Sequence, residues 1–192
     1  SHELRTPIAV IRNVLEVAQS TDAPDWREIA DSVLEEDVRM ERLVDDLLLI
    51  ARTDAGVSRG EHWTAVDLDD IVFEEACRVP SLIRIDVTRV SAGQVNGDAE
   101  QLRRVVRNLL DNALRHATQA IAVDLDSVDG RVSVGVDDDG PGVAPEDRTR
   151  IFERFVRLDE SRTRSDGGFG LGLAIVAELV DSIGGDVRVE TS

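Results

Sequence analysis

Residues 98–142 read DAEQLRRVVRNLLDNALRHATQAIAVDLDSVDGRVSVGVDDDGPG. From Asp98 to Ala117 the pattern predicts a long amphipathic helix. Leu102, Val106, Leu109, Leu110 and Ala113 point into a core. Ala120 to Leu125 and Val132 to Val136 then alternate like strands, and Asp129-Gly130 between them signals a tight hairpin turn. The stretch ends on the acidic, glycine-bearing turn Asp137-Asp138-Asp139-Gly140-Pro141-Gly142. A helix feeding a hairpin marks a mixed α and β domain.

The same pattern extends both ways. Leu68 to Cys77 predicts a helix and Ile83 to Val90 a strand. A glycine-rich, charged segment runs to Gly172, followed by a helix over Leu173 to Ile183 that Gly184-Gly185 ends. Val187 to Val189 predicts the start of another strand. Upstream, Arg52 to Gly60 is polar, contains two glycines and reads as a linker.

Before that linker lie two amphipathic helices. Leu4, Ile8, Ile11, Leu15 and Ala18 make one seam, and Ile29, Val33, Met40, Leu43, Leu47 and Ile50 make the other. Glu36 interrupts the second seam. Asp25 is a plausible N-cap, with Glu28 three residues on. Seams this narrow cannot bury themselves as an isolated pair, so a second copy completing a four-helix bundle is expected.

The chain has 192 residues and a formal net charge of -17. That balance argues against a nucleic-acid binder, which needs clustered basic surface. No run of about 18 apolar residues appears, so no membrane span is expected. Cys77 is the single cysteine, and every basic residue is an arginine, which removes lysine as nucleophile or P-loop residue. His62, Trp26 and Trp63 read as ordinary surface or edge residues.

Four constellations could carry chemistry. On a helix turning about 100° per residue, His2 projects away from the Leu4–Ile8–Ile11 seam, with Thr6 one turn on and Glu3 beside it. A neutral imidazole beside a carboxylate is a nucleophile candidate, although alone His2 reads first as a surface histidine. Asn108 and Asn112 share a helix face, with Arg115 near it. Two amide oxygens beside an arginine suit a hydrated Mg²⁺ and phosphates, or simply make a solvated polar face. Asp138 before Gly140 and Gly142 suits close backbone approach to a ligand, or an acidic turn. Gly168, Gly170 and Gly172 open a helix and can turn backbone amides toward a phosphate. No Gly-Lys-Ser/Thr follows, so this is no P-loop.

The order of these motifs is far more specific than any one of them. Ser1-His2-Glu3-Leu4-Arg5-Thr6-Pro7 resembles the H box of sensor histidine kinases, and Asn108 to His116 their N box. Asp138-x-Gly140-x-Gly142 resembles the first glycine box, Ile151-Phe152-Glu153-Arg154-Phe155 the F box, and Gly168-x-Gly170-x-Gly172 the second glycine box. The chain therefore resembles the catalytic core of a bacterial two-component sensor histidine kinase over nearly its whole length. The implied fold is α+β: an N-terminal helical hairpin (1–55) forming a dimeric four-helix bundle, a linker (56–64), and an α/β two-layer sandwich (65–192) of the histidine-kinase ATPase type.

The resemblance also implies roles. His2 would attack the γ-phosphoryl of ATP, with Glu3 orienting the ring or taking its proton. Asn112 would bind Mg²⁺, supported by Asn108, and Arg115 would sit near the phosphates. His116 holds a position where the family often has an aromatic. Asp138 would bind the adenine amino group, in a pocket shaped by Gly140 and Gly142. Phe152 and Phe155 would anchor a lid, Arg162 would reach the phosphates, and Gly168, Gly170 and Gly172 would contact them. The phosphoryl group would pass to an aspartate of a response regulator docked on the hairpin near Ala9, Arg12, Asn13 and Glu16, and Thr6 would serve a phosphatase activity. In the family the first helix starts well before its histidine, and one more strand usually follows the last helix. The expectation is therefore a fragment, the cytoplasmic portion of an inner-membrane-anchored sensor. The alternative is a nucleotide- and partner-binding module with little autokinase activity. A gyrase- or chaperone-type ATPase is disfavoured, because it needs a catalytic acid where Asn108 stands.

Overall fold

The computed structural model describes residues 5–54, 63–78, 83–158 and 169–190. His2, Glu3, Arg162 and Gly168 lie outside them. The chain divides into two compact units, Ser1–Ala51 and Arg52–Ser192.

The first unit is a helical hairpin of α1 (Arg5–Ser20) and α2 (Trp26–Asp54). Pro7 is buried in α1 and gives that helix no backbone N–H. At the far end the Ser20 and Thr21 hydroxyls both donate to the Val17 carbonyl, at 2.9 Å each. Asp25 caps α2: its Oδ1 accepts from the N–H groups of Arg27 (3.0 Å) and Glu28 (3.2 Å). Ala18 and Leu43 are buried, whereas Ile8, Leu15, Leu34, Val38 and Leu48 are exposed. The hairpin alone therefore leaves much of its apolar surface wet. Glu36, on the α2 seam, holds Arg39 at 3.3 Å through Oε1.

The second unit begins with β1 (Thr64–Asp67), followed by α3 (Leu68–Arg78), β2 (Arg84–Val90) and β3 (Gln94–Gly97). Then come α4 (Ala99–His116), β4 (Ala120–Val128), β5 (Arg131–Asp138) and α5 (Gly172–Ser182). Asp98 caps α4 by accepting from the N–H groups of Glu100 and Gln101. The β4–β5 turn places Asp129 at φ 52° and Gly130 at φ 75°, the left-handed pair of a tight two-residue hairpin. In the three-stranded sheet β4 is central, parallel to β2 and antiparallel to β5. Ile121, Val123 and Leu125 turn one face of β4 onto Ile71 and Val72 of α3 and Leu102, Val106, Leu110 and Ala113 of α4. Helices thus lie on one face of the sheet, two layers deep.

Two features differ from expectation. β1 and β3 pair antiparallel as a separate ribbon, from Thr64 opposite Gly97 to Asp67 opposite Gln94. Neither is long enough to show an alternation. Conversely, residues 187–189 form no strand. Alternation supplies one apolar face, but a strand also needs a hydrogen-bonded neighbour. Its side chains make only exposed ion pairs, Arg131 to Asp186 at 3.7 Å and, within the segment, Arg188 to Glu190 at 2.6 Å. The stop after α5 is as expected: Gly184 adopts φ 78°, and its N–H and that of Gly185 return to the carbonyls of Asp181 and Val180.

Glu75 of α3 is the buried charged side chain among the described residues, only 3% exposed. Arg107 of α4 grips it with two prongs, Nη2 to Oε1 at 2.9 Å and Nε to Oε2 at 3.0 Å. Arg78 adds a contact of 2.8 Å. The Arg107 hydrogen bond does most to hold the Glu75 carboxyl below its ordinary value of 4.5; burial opposes it and Arg78 reinforces it. Arg107 is partly exposed, so the clasp ranks between a surface pair and a buried one. Glu75→Gln should cost about 2 kcal/mol near neutral pH. A depressed carboxyl stabilises the fold fully above the unfolded value and stops doing so as pH falls through the folded one. In urea titrations, the gap between the parent protein and Glu75→Gln should therefore close progressively below pH 4.5.

Candidate nucleotide site

α4 has two faces. Leu102, Val106, Leu110 and Ala113 are committed to the core, which turns Asn108 and Asn112 toward the opposite side, both half-buried. Nδ2 of Asn108 is buried and has no hydrogen-bond partner among the described residues. Its Oδ1 lies against the start of α5, 3.7 Å from where a Cβ on Gly172 would stand. A buried amide donor without a partner costs about 1–3 kcal/mol, and such a group waits for an acceptor. At the N-terminus of α5, where the first backbone N–H groups have no partner within the helix, the acceptor that fits is an anionic oxygen.

The acidic turn meets the other end of α4. Asp138, half-buried, closes β5; its Oδ1 accepts from the Gly140 N–H at 2.9 Å. An ionised carboxylate has further lone pairs to offer a ligand amine. Gly140 lies directly over the last turn of α4: a Cβ there would stand 2.5 Å from the His116 carbonyl oxygen. Gly142 adopts φ 71°, which favours glycine, yet a Cβ there would meet nothing within 4 Å among the described residues. The His116 and Arg115 side chains are exposed.

After two short 3-10 turns, Pro145–Asp147 and Arg150–Phe152, the chain reaches Phe155. Phe152 is half-buried, whereas Phe155 is 49% exposed. Phe155 adopts φ 66°, unusual for a bulky residue. Its N–H donates to the Gly170 carbonyl at 2.8 Å. Gly170, at φ 70°, has no room for a side chain: a Cβ would stand 2.8 Å from the Val156 carbonyl oxygen. Arg154 joins this segment to α5 through Glu178 at 2.7 Å.

The structure thus brings Asn108 to Gly172, Gly140 to the end of α4, and Phe155 to Gly170. Thr6 belongs to the helical unit, half-buried in the first turn of α1. The sequence did not point to Asp139, whose carboxylate accepts from the N–H groups of Thr118 at 2.6 Å and Gln119 at 3.0 Å. The hydrogen bonds from Gln119 and then Thr118 hold its carboxyl below the ordinary aspartate value. These donors lie about twenty residues upstream, beyond the reach of a local pattern. No cluster of three or more His, Cys, Asp or Glu side chains suited to a metal occurs among the described residues.

Residues 1–56 match the His Kinase A (phospho-acceptor) domain, and residues 97–192 match the histidine kinase-, DNA gyrase B- and HSP90-like ATPase domain. Sensor protein RstB of Escherichia coli K12 is 38% identical over 200 residues, covering 100% of this chain and 44% of RstB. The signal transduction histidine-protein kinase/phosphatase MprB of Mycolicibacterium vanbaalenii is 36% identical over 200 residues, covering 98% of this chain and 41% of that protein. The chain thus spans less than half the length of these relatives. Among solved structures, the mycobacterial sensor histidine kinase MprB superposes with a TM-score of 0.60 at 36% identity, covering 67% of this chain and 85% of that one. The Acinetobacter baumannii histidine kinase AdeS shares the fold over 95% of this chain and 87% of its own, with a TM-score of 0.77 at 23% identity. The chain belongs to the sensor histidine kinases, as the order of its five boxes implies. It joins a phospho-acceptor helical hairpin to a domain of the ATP-binding ATPase family.

The two glycines of the acidic turn should respond differently to a methyl group. Gly140→Ala forces a Cβ onto a backbone carbonyl and should weaken nucleotide binding at least tenfold, about 1.4 kcal/mol. Gly142→Ala carries only the cost of a left-handed alanine, about 1 kcal/mol, and should weaken it less. Titration with a fluorescent ADP analogue separates the two.

Proposed function

We propose that this chain is the core of an ATP-dependent protein-histidine kinase that phosphorylates His2 and passes the phosphoryl group to an aspartate of a response regulator. The observation that carries the reading is the partnerless Nδ2 of Asn108 beside Gly172 at the opening of α5. A donor held there suits a phosphate oxygen of ATP. Asp138 accepts a hydrogen bond from the adenine amino group, and Gly140 and Gly142 let the base approach the backbone. Gly168, Gly170 and Gly172 bring main-chain amides toward the phosphates, and Arg115 and Arg162 add positive charge. Phe152 and Phe155 seat the segment that covers the nucleotide.

Phosphoryl transfer then asks mainly for positioning and charge neutralisation. The lone pair of the neutral His2 ring forms the N–P bond while the P–O bond to ADP breaks. Glu3 orients the ring and takes up its proton. Mg²⁺, held by the amide oxygens of Asn112 and Asn108 with water and phosphate oxygens, would neutralise the phosphate charge. These two amides offer the ion neutral oxygens, so it would arrive with its nucleotide. Thr6, four residues beyond His2, serves hydrolysis of the phosphorylated regulator. The chain acts on the cytoplasmic side of an inner-membrane-anchored sensor; among the described residues no helix is long and apolar enough to cross a membrane.

Incubation with Mg²⁺ and γ-labelled ATP tests the activity. Label that is lost in acid, kept in alkali and absent from His2→Gln is expected. Nucleotide binding without label would reduce the chain to a binding module. The exposed apolar residues of the hairpin support a homodimer through a four-helix bundle. Charges there should abolish it: sedimentation is expected to show a dimer for the parent chain and a monomer for the double variant Leu34→Glu/Leu48→Glu.

A further inference from the structure

We infer that Asp139 is a positioning residue that sets the base selectivity of the nucleotide site by stapling the adenine-reading turn to the end of α4. The inference rests on the nucleotide reading above and deepens it.

α4 ends at Ala117, whose N–H returns to the Ala113 carbonyl at 2.7 Å. The next two N–H groups, of Thr118 and Gln119, have left the helix. Both are taken by one carboxylate: Asp139 Oδ1 accepts from Thr118 at 2.6 Å and from Gln119 at 3.0 Å, and Oδ2 also lies 3.0 Å from the Gln119 nitrogen. The Asp139 N–H itself donates to the Ala120 carbonyl at 3.3 Å. Main chain and side chain of a single residue thus hold three successive residues, the last two of the α4–β4 connection and the first of β4.

Asp139 is flanked by the two residues whose placement matters most. On one side is Asp138, opposite Ile121 in the β4–β5 ladder. On the other is Gly140, packed on the His116 carbonyl oxygen. The Asp138 carboxylate and the α4 face bearing Asn112 are therefore locked to one frame. Asp139 is itself exposed, so little apolar packing is at stake in its removal. It faces backbone donors, which an asparagine oxygen can also satisfy and an alanine cannot.

Adenine carries a 6-amino donor and guanine a 6-oxo acceptor, so a fixed Asp138 carboxylate favours the first and repels the second. Loosening the turn should erode that preference. A change that only destabilised the fold would reduce the active fraction and leave the ratio of affinities untouched. The experiment is calorimetric titration of the chain with ADP and GDP. Asp139→Ala is expected to raise the ADP dissociation constant about tenfold, with a smaller effect on GDP, so that the ADP:GDP preference falls. Asp139→Asn should keep the preference within about threefold of the parent, because charge is less important here than an acceptor oxygen. Asp139→Ser, too short to span both donors, repeats the comparison if the alanine variant does not fold. An unchanged preference in Asp139→Ala or Asp139→Ser, or a loss in Asp139→Asn as large as in alanine, overturns the role of Asp139 alone. A parent chain with no preference for ADP, or a preference that survives Asp138→Ala, overturns the adenine reading and the inference with it.

Discussion

The burial of one face of α4 on the central strand is the constraint from which the rest of the ATPase-type unit follows. Leu102, Val106, Leu110 and Ala113 meet Ile121, Val123 and Leu125, and these contacts fix the rotation of the helix about its axis. Once that rotation is set, Asn108 and Asn112 have a single direction to face. The polar face is thus placed by the apolar residues of the core. Glu75 and Arg107 reinforce the same rotation from the α3 side with a charged, directional contact that dispersion forces alone do not supply.

The site is assembled from parts distant in the chain, two of them, at Gly140 and Gly170, brought close by a backbone approach that a side chain would block. Gly140 sits on a carbonyl of α4, Gly172 beside Asn108, and Gly170 on the backbone of residues 155 and 156. Space here is created by omission. Two of the contacts are to main-chain atoms, which cannot rotate aside as a long side chain can. The hairpin unit shows the opposite economy: exposed leucine, valine and isoleucine side chains reach outward from both helices, a surface suited to burial by more protein.

Much of this was legible in the sequence, and the physical reason differs by element. α4 announced itself through a 3.6-residue period, a local signal, whereas its aspartate cap was seen only in the structure. The β4–β5 hairpin did so through alternation around Asp129-Gly130. β1 and β3 did not, because four residues with one buried position each carry no period, and their pairing joins segments some thirty residues apart. Residues 187–189 show the converse error, a period with no partner. In the site, the spacing of Asn108 and Asn112 was visible, but the partnerless amide was not, since it depends on where α5 begins in space. Asp139 was hidden for the same reason. His2, Glu3, Arg162 and Gly168 rest on the order of motifs and lie outside the described residues.

The hydrogen bond from Phe155 to Gly170 has a consequence for variation among related chains. It ties the two stems of the intervening segment at one point, so whatever length of chain lies between them begins and ends in the same place. Closing a longer loop across a fixed gap costs little, about 0.6 kcal/mol for each doubling of its length. Insertions and deletions between residues 156 and 169 are therefore nearly invisible to the folded unit, provided that the tie and the glycine beneath it stay. The intervening sequence is free to diverge in length and composition while its two ends stay tied.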